Sequence, residues 1–156
     1  MGQIFETMVE FFGDDEWPFD QLGERTILRT GFEGDSGEWT CYAQAQEEQG
    51  WFFFYSVCPV KVPEERRAAM AEFLTRANYG LIIGNFEMDF SDGGIRYKSS
   101  VGVKDDRVSI PLVRNLVYAN VLTMDRYLPG IMSLVYGDVS PAQAIAQVEG
   151  DSAHSL

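Results

Sequence analysis

The sequence predicts an α+β fold, with helices packed on an antiparallel sheet of about five strands. Three observations carry this. Short runs of alternating apolar residues are joined by two- to four-residue turns such as GDSG and EEQG. Such turns produce an antiparallel meander. Two later segments repeat apolar residues at i, i+3, i+4 and i+7, the stripe of a half-buried helix. No internal repeat or low-complexity linker divides the 156 residues. Residues 1–150 therefore read as one domain with a tail at 151–156.

The elements follow in the order α-β-β-β-α-β-β-α-α. QIFETMVEFF places Ile4, Met8, Phe11 and Phe12 on one helical face, and Gly13-Asp14-Asp15 ends it. An acidic loop with Trp17, Pro18 and Phe19 follows. RTILRTGFE is the first strand, with Leu28, Thr30 and Phe32 on one side. EWTCYAQAQ and WFFFYSVC are the second and third. Pro63 fits the first position of the next helix, and Glu64 and Glu65 favour its positive end. Met70, Phe73, Leu74 and Ala77 form its stripe, and Gly80 stops it.

The stretch LIIGNFEMDFSDGGIRYKSSVGV fits neither a calcium nor a phosphate loop. Counted from Asp89, position 5 is Gly93 and position 12 is Ser100, where calcium loops need oxygen ligands. Gly84 is not followed by Lys and Ser or Thr. A hairpin turning at Asp92-Gly93 pairs residues whose numbers sum to 185. Phe90, Met88 and Phe86 then face Ile95, Tyr97 and Ser99, while Asp89 meets Arg96 and Glu87 meets Lys98.

Ser109 caps a long helix whose broad face holds Val113, Leu116, Val117, Asn120, Val121 and Met124. Pro129 is expected to kink or split it. The last helix has Ser140 as cap, Pro141 at the first position, Gln143 completing a capping box and Gly150 at its end.

The formal net charge is −12, from 24 acidic and 12 basic residues. Such a surface disfavours nucleic acid and anionic membranes. It favours basic or neutral protein segments as partners. No targeting or membrane-spanning segment is legible, so a cytoplasmic location is expected.

Chemistry is poorly provided for. The one histidine, His154, lies in the tail, and no cofactor, metal or catalytic set is indicated. An enzyme is not expected. Cys41 and Cys58 share a strand face with Ala43, Ala45, Phe52 and Phe54. They are two small core residues or a redox pair. A turn centred at Glu48 offsets them, whereas one at Gln49-Gly50 sets them directly opposite. WFFFYSVC is the anomaly. Phe52 and Phe54 face one way, while Trp51, Phe53 and Tyr55, with Tyr42, face the other. An antiparallel strand with one wet face alternates cleanly. This one needs cover on both sides, from its own chain, a second copy or a partner segment.

VPEERRAAMAEFLTRANYGLIIGNFEMDFSDGGIRYKSS and MDRYLPGIMSLVYGDVSPAQAIAQVEG resemble the YbjN-domain family of bacterial proteins over roughly residues 25–150. The resemblance implies the fold of type III secretion chaperones, sensory-transduction regulation and no catalytic residues. It further implies a small, acidic, homodimeric protein that binds an extended client segment. The function expected is a chaperone-like adaptor or regulator binding through Trp51, Phe53, Tyr55 and Tyr42. The alternative is a small-molecule or thiol-redox sensor around Cys41 and Cys58.

Overall fold

A computed structural model describes residues 2–150; the tail and His154 lie outside the described residues. Four helices, α1 (Gln3–Asp14), α2 (Arg67–Asn78), α3 (Ile110–Tyr136) and α4 (Pro141–Glu149), accompany six strands. These are β1 (Asp20–Gln21), β2 (Ile27–Glu33), β3 (Glu38–Gln46), β4 (Trp51–Lys61), β5 (Asn85–Asp89) and β6 (Gly94–Gly102). The strand order is β1-β2-β3-β4-β6-β5, antiparallel throughout. The sixth strand is β1, two residues of the acidic loop laid against Arg29 and Leu28.

All four helices lie on one face of the sheet. Leu28, Cys41, Ala43, Phe52, Phe54, Phe86, Ile95 and Tyr97 meet the expected stripes of α1, α2 and α3 there. Met70, Phe73, Leu74 and Ala77 are buried as their spacing requires. α2 is preceded by a 3₁₀ turn, Glu64–Arg66, so Pro63 caps that turn and is not the first residue of the helix. Glu47, in the β3–β4 turn, accepts from the Ile4 and Phe5 amides at 3.1 and 2.8 Å. A carboxylate there satisfies two orphan donors at the positive end of α1.

The β5–β6 hairpin departs from its expected register by two residues. Phe86 pairs with Tyr97, Glu87 with Arg96 and Asp89 with Gly94, a sum of 183. An even shift preserves every face, so Phe86, Ile95 and Tyr97 are still buried. The loop is longer because its acids brace it. Asp89 accepts from the Ser91 amide and hydroxyl, and Asp92 accepts from the Gly94 amide. Phe90 is thereby left exposed in the turn. Glu87, not Asp89, takes Arg96, at 2.7 Å, and Lys98 as well, at 3.0 Å.

Pro129 does not split α3, which runs unbroken for 27 residues. Proline removes the amide that would bond the Asp125 carbonyl four residues earlier. The Ser36 hydroxyl donates to that carbonyl at 2.7 Å, and the Asp35 and Ser36 amides donate to the Asp125 carboxylate. The β2–β3 turn thus occupies the gap that the proline opens. Gly130, next to it, lets the Phe73 ring of α2 approach where a Cβ would sit 2.6 Å from the ring.

The apolar face of α3 carries one fully buried amide, Asn120. Its Nδ2 donates to the Phe54 and Tyr97 carbonyls and to Ser99 Oγ, at 2.9 to 3.1 Å. Its Oδ1 accepts from Ser56 Oγ at 2.6 Å. Asn120→Leu would leave the Ser56 and Ser99 hydroxyls and two strand carbonyls short of a partner. The expected loss is about 2–4 kcal/mol of unfolding free energy, read as a lower urea midpoint.

Candidate functional site

The two faces of β4 have different fates. Phe52, Phe54 and Ser56 are fully buried under the helices. On the other side Trp51 is 45% and Val57 38% exposed, and Phe53 and Tyr55 are half-buried. Among the described residues, no helix lies over that side. Phe53 and Tyr55 stack at 6.1 Å with planes 7° apart, and Trp51 meets Phe53 edge-on at 6.1 Å. They form an aromatic rail along the middle strand of the open face. These rings cover one another.

Strand register supplies the neighbours of the rail. Tyr55 lies between Tyr42 and Lys98, Phe53 between Gln44 and Ser100, and Val57 beside Arg96. Tyr42 continues to Arg29, which reaches Asp20 at 3.4 Å. The Arg96 guanidinium sits 4.4 Å from the Tyr55 ring centroid, a cation–π contact at the edge of the rail. Glu87, held between Arg96 and Lys98, has its carboxyl pKa lowered; partial burial opposes the shift, and those two cations outweigh it. The rail is therefore flanked by basic side chains in a chain that is acidic as a whole. Trp51, Phe53, Tyr55 and Tyr42 share one face, as the sequence alternation requires. Arg29, Arg96 and Lys98 are the part that alternation alone did not single out.

The β3–β4 ladder follows the turn centred at Glu48, which sets Cys41 opposite Ser56, not opposite Cys58. Cys41 and Cys58 are free and buried. Burial pushes the Cys58 thiol up to about 11 and the Cys41 thiol up to about 12. Beyond the Cys41–Ser56 pair the two strands part. Pro59 offers no backbone donor at that point, and the register with β6 shifts between Val57 and Lys61. The resulting cleft, about 550 Å³, is lined by Phe32, Trp39, Thr40, Val57, Cys58 and Pro59, among others. The buried Trp39 indole N–H has no hydrogen-bond partner among the described residues. Among the described residues, no group of three or more His, Cys, Asp or Glu side chains is placed to hold a metal ion. No helix among them is long and apolar enough to cross a membrane.

The sequence model of one family, described as "Putative bacterial sensory transduction regulator", matches residues 5–133. The chain belongs to the YbjN family. The match starts in α1 and ends within α3, so it lies further towards the N-terminus than the resemblance read from the motifs. No curated protein shows significant similarity to the chain. Among solved structures, YbjN from E. coli, described as "a putative transcription regulator", aligns with a TM-score of 0.58 at 11% identity. That alignment covers 78% of this chain and 85% of the other. A chain of the ExsC–ExsE complex aligns with a TM-score of 0.52 at 11% identity, covering 80% and 90%. At such identity the likeness is one of fold. The YbjN fold here is the α+β, secretion-chaperone-like architecture that the resemblance implies.

In the folded protein at pH 8 neither thiol is expected to react with a disulfide reagent, and both are expected to react after denaturation. Both folded pKa values lie above the ordinary 9.0. Thiol protonation thus contributes stability that is fully present below about pH 9 and is lost as pH rises through about 11 to 12. Cys41→Ala with Cys58→Ala should flatten that part of the alkaline loss, measured by urea midpoints across the range.

Proposed function

We propose that this protein is a non-enzymatic, chaperone-like adaptor or regulator that binds a segment of a partner protein on the open face of its sheet. The observation that carries this reading is the aromatic rail of Trp51, Phe53 and Tyr55, with Tyr42 beside it. It stands in the middle of a sheet whose other face holds all four helices. Water exposure of a contiguous aromatic surface is unfavourable, and such surfaces mark interaction sites. If three rings each bury ~100 Å² on a partner, the gross gain is on the order of 7 kcal/mol. Association and ordering remove much of it, leaving affinity suited to a reversible regulator. The likeness to a chain of the ExsC–ExsE complex supports the reading at the level of fold. A cytoplasmic site of action, and a homodimer as the assembled state, belong to the same reading.

A second reading, a small-molecule or thiol-redox sensor, rests on the cleft where β3 and β4 part beside Cys58 and Trp39. The raised thiol pKa values count against its redox form, since the thiolate is the reactive species.

Trp51→Ala with Phe53→Ala tests the leading reading. Both side chains project away from the core, so the variant should keep the wild-type unfolding free energy, measured with urea, to within about 1 kcal/mol. It should lose the partner that wild-type protein captures from its native cell. Unchanged capture together with an unchanged mass by light scattering would sink the open-face site.

A further inference from the structure

The geometry points to an acidic partner segment: a hollow in the open face between Arg25 and Arg96 is built to take a carboxylate side chain beside the aromatic rail. This deepens the adaptor reading and rests on it. The hollow, about 310 Å³, is lined by Leu22, Arg25, Ile27, Tyr42, Gln44, Tyr55, Val57 and Arg96. Apart from Gln44 its walls are apolar or aromatic, two arginines border it, and no acidic residue is among those lining it.

Charge decides what fits. Across the whole chain acids outnumber bases 24 to 12, yet here the balance is reversed. Arg25 makes no ion pair with any described residue. Arg96 and Lys98 must share the single carboxylate of Glu87. One anion between two cations leaves one positive charge uncompensated. The Arg96 guanidinium already sits over the Tyr55 ring, 4.4 Å from its centroid, at the edge of the hollow. An incoming carboxylate would find pre-oriented donors there, and apolar residues next to it in the segment would lie on Phe53 and Trp51. The charge of the whole chain favours basic or neutral partners; the charge at this site favours the opposite.

A second copy fits this face poorly. A two-fold contact pairs the patch with itself, so it would gather Arg25, Arg96 and Lys98 of both copies into one interface. Like charges facing each other across an interface are costly.

The test uses three synthetic peptides of on the order of a dozen residues, long enough to cross the sheet. They share Leu, Phe and Val positions and differ only in the intervening residues, which are Glu, Ser or Lys. Binding to the full chain is followed by anisotropy of a labelled peptide. The Glu peptide should bind about tenfold tighter than the Lys peptide at low salt, with the preference shrinking as ionic strength rises. Arg25→Gln with Arg96→Gln should weaken the Glu peptide about three- to tenfold and leave the Ser peptide unchanged. Glu87→Gln should tighten the Glu peptide by freeing Arg96 and Lys98, a gain that misfolding cannot produce. If the Ser or Lys peptide binds as tightly as the Glu peptide, or if Glu87→Gln gives no gain, the acidic-segment inference fails while the adaptor reading stands. If none of the three binds, the acidic-segment inference fails, and the adaptor reading is decided by the capture experiment with Trp51→Ala and Phe53→Ala. A dimer that Trp51→Ala with Phe53→Ala dissociates would place a second copy on this face and also overturn the inference.

Discussion

Asn120 holds the two layers in register. A leucine at that position would pack well enough on an apolar helix face, yet the chain spends an amide there. The amide spans β4 and β6 at once, accepting from Ser56 and donating to the Phe54 and Tyr97 carbonyls and to Ser99. Apolar contacts tolerate sliding; a buried polar cluster with every group satisfied does not, because each misalignment orphans a donor or acceptor. α3 is therefore fixed along the seam between the central strands. α1 and α2 pack against α3 in turn, so the helices are confined to one side of the sheet. The uncovered side is a consequence of that arrangement.

Placing β6 next to β4 has a second effect. β4 and β6 carry opposite chemistry on their open sides, Trp51, Phe53, Tyr55 and Val57 against Arg96, Lys98 and Ser100. Had the later hairpin added through β5, Glu87 and Asn85 would neighbour the rail instead. Glu87 stands one strand farther out, where it orders Arg96 and Lys98 without cancelling both. Order in the sheet, more than composition, makes a basic site on an acidic protein.

Much of this was legible. The helix stripes, the capping box at Ser140 and the division of β4 into Phe52 and Phe54 against Trp51, Phe53 and Tyr55 follow from periods of 3.6 and 2.0. Alternation fixes faces, because any even register shift preserves them, and that is why the β5–β6 faces were right although the pairing was two residues off. What alternation cannot fix is which strands become neighbours. The concentration of bases in residues 49–114, nine against eight acids, was visible in the sequence. Its meaning depended on β6 lying beside β4. The continuity of α3 through Pro129 depended in the same way on a distant partner, Ser36, for the carbonyl that proline leaves open.

The edges of the sheet bear on how a partner could dock. A strand edge with free backbone groups invites strand addition. At the β5 edge the Asn78 side chain accepts from the Phe86 amide at 2.7 Å and donates to the Phe86 carbonyl at 3.2 Å. It mimics a neighbouring strand at the second residue of β5. At the other edge Trp17 donates to the Gly31 carbonyl at 2.7 Å, and β1 covers Leu28 and Arg29. With both edges partly occupied by the chain's own groups, backbone pairing offers a partner less than side-chain contact with the open face does. Recognition by rings and guanidinium groups reads the apolar and acidic character of a segment more than its register. That is a selectivity suited to one face meeting segments of differing sequence, and it makes the charge beside the rail the main source of discrimination.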